Sequence, residues 1–99
     1  MNPETDVNNS SIGNTMVSRN YNNTENMGCS WSRINNLKVN GKDPDLIFVM
    51  MGGNDWVNSS ISLGTYVNGD TLPGDSSTPE NLDFKPAFAL MISRIKKTY

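Results

Sequence analysis

The sequence predicts an α/β fold: part of a three-layer α/β/α domain with one buried parallel strand, flanking helices and a small β-hairpin. Three observations carry this expectation. Leu46 to Met51 form an unbroken apolar run, the pattern of a parallel strand buried on both faces. Phe84, Ala87, Phe88, Met91, Ile92 and Ile95 recur at steps of three and one, the stripe of a helix laid on a sheet. A helical segment also precedes the run, and helix, strand, helix is the rhythm of layered α/β chains.

Taken in order, residues 1 to 26 are polar, with a short strand suggested around Asp6 to Asn9. Ser10 to Thr15 reads as a loop with Gly13 near its centre. Residues 27 to 39 read as helical: Ser30 can cap the segment, and Trp31, Ile34 and Leu37 share a face. Asn40-Gly41 ends it. Pro44 then starts the strand without needing a ladder donor. Gly52 and Gly53 stop the strand abruptly and let the backbone turn. Trp56 to Leu63 reads as a loop or one irregular helical turn. Asn68-Gly69, between short β-prone runs, gives the strongest local hairpin signal. Pro73 to Asn81 is a second loop. Asp83 can cap the last helix, with Pro86 in its first turn, where a missing N–H costs little.

Composition narrows the chemistry. The 99 residues suit one small domain, and only 35% of them are hydrophobic, with net charge -2. No basic patch favours nucleic acid: Arg94, Lys96 and Lys97 read as cations at a helix C-terminus. No apolar stretch is long enough to span a bilayer, and no basic-then-apolar leader is visible at the start. The chain has no histidine and one cysteine, Cys29. That excludes a histidine-dependent triad, a His-ligated metal and an intrachain disulfide built within these residues. Cys29 reads as a small packed residue, and no cofactor or metal is expected.

The polar tip of the apolar run is the most informative stretch. It reads Pro44-Asp-Leu-Ile-Phe-Val-Met-Met-Gly52-Gly53-Asn54-Asp55-Trp56, followed by Leu63-Gly-Thr-Tyr66 and the amphipathic helix. Polar groups at the carboxyl end of a parallel strand stand where α/β proteins place ligands. Together with Val7 to Thr15 and Ser32-Arg-Ile-Asn-Asn-Leu37, this pattern resembles the SGNH (GDSL-type) hydrolases, a superfamily of esterases and acylhydrolases. The resemblance covers roughly residues 5 to 98, with Val7 to Thr15 similar to the family's second sequence block and Gly52 to Trp56 to its third.

The resemblance implies a flavodoxin-like sheet and an oxyanion hole. Ester hydrolysis through a serine passes through a tetrahedral oxyanion, and each fixed donor aimed at that oxygen is worth on the order of 3 kcal/mol. The family pattern assigns such donors to the Gly13 N–H and the Asn54 side-chain amide. An amide suits the role because it donates without titrating. Gly52 and Gly53 would leave room for substrate, Asp55 would anchor the loop by accepting backbone N–H bonds, and Trp56 would line the pocket mouth. The implied substrate of the parent enzyme is an ester or an acylated carbohydrate.

Two parts of the family pattern are not in these residues. Its nucleophile block, Gly-Asp-Ser, should lie upstream of Gly13. Its final block should supply an Asp and a His. Gly74-Asp75-Ser76 spells the nucleophile motif, but it follows the third block, and no apolar strand feeds it. The expectation is therefore a single incomplete domain over 1–99, inactive alone, whose exposed sheet edges favour self-association. The competing reading is a non-catalytic α/β binding or interaction module derived from the same fold.

Overall fold

The computed structural model describes residues 7–11, 13, 15–18, 27–57, 61–72 and 82–99. In chain order their elements are α1 (Trp31–Asn35), α2 (Gly53–Val57), a 3₁₀ turn (Gly69–Thr71) and α3 (Phe84–Thr98). No strand or sheet occurs among the described residues. Pairing is limited to an antiparallel bridge between Val39 and Lys42. The expected three-layer α/β/α fold with a buried parallel strand is thus corrected to helices and irregular segments around one core. No helix is long and apolar enough to cross a membrane among the described residues.

The 15-residue α3 is the main support of the core. Its first-turn donors are met by backbone from residues 62 and 63: Phe84 N–H donates to Ser62 O and Lys85 N–H to Leu63 O, both at 2.9 Å. The next residue is Pro86, which has no N–H to satisfy. Asp83 occupies the N-cap position, but its side chain makes no capping bond. The buried face is Ala87, Leu90, Met91, Ser93 and Arg94, rotated from the stripe expected of apolar residues alone. Ile92, expected on the stripe, is 36% exposed.

Arg94 accounts for much of that rotation. It is 3% exposed, donates from Nη1 to Cys29 O at 2.6 Å, and lies 4.8 Å from the Trp31 ring centroid. Beyond serving as a cation at a helix end, it ties α3 to Cys29, just ahead of α1, by a charge-assisted bond and to Trp31 of α1 by a cation–π contact. Lys96 and Lys97 do face outward.

Five residues cannot hold a helix by local bonds alone, so α1 depends on its cap and its packing. Ser30 Oγ accepts from Arg33 N–H at 3.3 Å, and Ile34 is 2% exposed. Tyr99 Oη donates to Ile34 O. The helix stops at Asn35–Asn36, well short of residue 39. Asn side chains compete for backbone bonds and favour such endings. Val17, Met27, Cys29, Ile34, Ala87 and Met91 form the core, with Val49, Met51 and Phe84 packed against it.

The apolar run shows why no buried strand forms. Ile47, Val49 and Met51 are half buried, while Leu46, Phe48 and Met50 are 69%, 85% and 96% exposed. This alternation is that of extended chain with one face on a core. No backbone group from Leu46 to Met51 bonds to backbone of another described residue. A ladder needs a neighbour about 4.8 Å away, and none is among the described residues.

The hairpin expectation is corrected in a specific way. Asn68 has φ -67 and caps a 3₁₀ turn, its side chain accepting from Asp70 N–H. It therefore lacks the positive φ that an Asn-Gly hairpin turn requires. Gly69 is present for closeness, because a Cβ there would collide with the Ala89 carbonyl of α3. The other Asn-Gly pair makes the hairpin-type turn. Asn40 and Gly41 have φ 52 and 77, and Val39 and Lys42 exchange bonds of 2.9 and 3.0 Å. The suggested strand around Asp6 to Asn9 is also not seen in residues 7–9.

Candidate active-site loop junction

The apolar run delivers the chain to a sharp corner. Gly52 has φ 120, a conformation that side-chain-bearing residues rarely adopt. A Cβ there would press on the Phe84 ring at 3.2 Å. Gly53 then starts α2, which is five residues long and carries Asn54, Asp55 and Trp56. Trp56 N–H closes the turn on Gly52 O at 2.9 Å.

Asp55 is the buried member of this turn, at 4% exposure. Its carboxylate accepts from Val17 N–H at 2.9 Å and from Ser18 N–H at 3.0 Å. It also accepts from the Ser18 hydroxyl. A carboxylate taken out of water is stabilised by several donors at once. Here those donors belong to a segment 37 and 38 residues away in sequence. Asn54 reinforces the same join: its Nδ2 donates to Thr15 O at 3.0 Å. The join therefore locks the loop that follows Gly13 to the turn that follows the apolar run.

The other expected site residues take different positions. Gly13 is exposed in a turn two residues before Thr15, and a Cβ there would meet open space. Gly53 is equally open. Asn54 is exposed, and Trp56 is 89% exposed. A cavity of about 410 Å³ lies elsewhere, between α3 and residues 66–70. Tyr66, Phe84, Lys85, Phe88, Ile92 and Lys96 are among the residues that line it, and no expected site residue is among its walls. Gly74-Asp75-Ser76 lies outside the described residues. No group of three or more metal-ligating side chains occurs among the described residues.

Three contributors were not singled out from the sequence. Thr15 supplies the carbonyl for Asn54, and Ser18 the hydroxyl for Asp55. Arg33 donates from Nη1 to Thr15 Oγ1 at 2.9 Å and from Nη2 to Ser10 O at 3.1 Å. Arg33 stood within the recognised Ser-Arg-Ile-Asn-Asn-Leu stretch, which was the available signal. Cys29 sits below the join, its Sγ donating to Val17 O at 3.0 Å. Burial pushes its thiol from 9.0 up to about 12, partly offset by the Arg94 charge. It is a neutral packing group and not a nucleophile.

The family model for GDSL-like lipases and acylhydrolases matches residues 2–99. The chain belongs to this hydrolase-type family, in agreement with the resemblance carried by Gly13, Gly52 to Trp56 and the last helix. No curated protein and no solved structure matches it.

Proposed function

We propose that this chain supplies the oxyanion hole of a serine ester hydrolase acting on an ester or acylated carbohydrate, with nucleophile and base outside its 99 residues. Gly13 N–H and the Asn54 amide are the donors. Asp55 holds their two loops together, Gly52 makes the sharp corner against Phe84, Gly53 gives the substrate room, and Trp56 flanks its approach. The observation that carries the reading is the orientation of Asn54. A primary amide has two N–H donors; one is committed to Thr15 O, which fixes the direction of the other on an exposed surface. A donor fixed before the reaction needs no reorganisation when charge develops. The chain has no histidine, so in this reading it is inactive alone.

The test is a chimaera in which residues 7–98 replace the matching region of an active family esterase. Hydrolysis of a chromogenic acetate is expected, with Asn54→Ala lowering kcat about 10²- to 10³-fold at nearly constant KM. An unchanged kcat rejects the oxyanion role. Turnover by the isolated chain that vanishes in Asn54→Ala rejects the claim that nucleophile and base lie elsewhere. The exposed Trp56 and Tyr66, at 89% and 69%, favour a second reading as a non-catalytic binding module. That reading expects saturable binding of a soluble acylated oligosaccharide, no turnover in the chimaera, and loss of binding in Trp56→Ala.

A further inference from the structure

We infer that Arg33 is a positioning residue: its guanidinium fork spans the Gly13 loop and sets where the Gly13 N–H and the Asn54 amide point. The two branches land on opposite sides of Gly13. Nη2 holds Ser10 O, three residues before it, and Nη1 holds Thr15 Oγ1, two residues after it. Thr15 is also the residue whose carbonyl receives Asn54 Nδ2. One side chain thus connects α1 to the glycine loop and, through Thr15, to the turn after the apolar run.

The root of the fork is itself fixed. Arg33 N–H is the donor taken by the Ser30 cap, and the adjacent Ile34 is in the core. The upstream arm of the loop is tied to the end of the same helix. Asn8 Nδ2 donates to Asn36 O at 3.0 Å and to Lys38 O at 2.8 Å. Between Ser10 and Thr15, Arg33 therefore bounds the segment that carries Gly13. Arg33 is half buried, and burial lowers its pKa from the usual guanidinium value. The two acceptors compensate that loss of hydration. A planar fork reaches two acceptors at fixed spacing, which a lysine ammonium cannot do in the same way.

The inference takes its meaning from the oxyanion reading, but its test does not depend on turnover. In the full 99-residue chain, NMR relaxation follows the order parameters of the Gly13 N–H and the Asn54 Nδ2 groups in wild type, Arg33→Met and Arg33→Lys. In both variants these groups are expected to gain fast motion, their order parameters falling from the rigid range of about 0.85 toward about 0.6, while the amides of Leu90 and Met91 keep their wild-type values. Unchanged Gly13 and Asn54 signals overturn the inference, as does full restoration by lysine. A uniform drop in order parameter that includes Leu90 and Met91 overturns it too, because the role would then be structural only. If neither variant folds, the wild-type Arg33 guanidinium decides. Separate, slowly exchanging Nη protons support the fork, and a single averaged signal overturns it. Failure of the oxyanion reading appears elsewhere, as an unchanged kcat for Asn54→Ala in the chimaera.

Discussion

Two adjacent regions of this chain are finished to very different degrees. The junction of residues 15–18 with Gly52–Asp55 is closed: a buried carboxylate meets three donors, and an amide meets a carbonyl. The run Leu46–Met51, which leads directly into that junction, presents one face to the core and one to solvent. Among the described residues the join is made without a sheet. A charge with several fixed donors holds two distant loops together, whereas an apolar strand needs neighbours on both sides before its burial is complete.

Asp55→Ala attacks the closed region and should have the largest effect. It strands the Val17 and Ser18 N–H groups in a buried place, at a cost of roughly 3 kcal/mol or more. That is a large part of the stability of a small domain, and urea unfolding measures it. Arg94→Met should follow, at about 2 kcal/mol, from the lost Cys29 carbonyl bond and Trp31 contact. A smaller effect depends on pH. The Cys29 thiol ionises at about 12 when folded, against an ordinary 9.0. Its contribution is therefore present below about 9 and is lost as pH rises from there toward the folded value. Cys29→Ala should remove that part of the alkaline decline in melting temperature.

Phe48→Ser tests the open region and should have the smallest effect, within about 0.5 kcal/mol, because its side chain is 85% exposed. It should also reduce self-association, read by sedimentation at rising concentration, because an uncharged apolar row is a template for pairing. A cost matching that of Asp55→Ala would break the comparison, showing that the row is covered in solution.

The sequence made some of this legible and hid the rest for physical reasons. The Ser30 cap and the start of α3 were readable because capping and apolar periodicity are local. The Gly-Gly-Asn-Asp turn was readable because its residue types are demanding. The sheet was misjudged because six apolar residues specify a tendency to be buried, and the burial itself depends on partners distant in sequence. The two Asn-Gly pairs show the same limit. Gly41 serves a turn and Gly69 serves a close helix contact, and only the tertiary neighbour Ala89 distinguishes them. Arg94 reads as a cation at a helix C-terminus because nothing local announces that a carbonyl and an indole await it in the core.

Residue-by-residue amide exchange in the native chain tests the central contrast most directly. The Val17 and Ser18 amides, held by Asp55, should be protected to nearly the level of global unfolding. Those of Ile47 to Met50 should exchange orders of magnitude faster. Equal protection in the two regions, or faster exchange at Val17 and Ser18, would contradict the account.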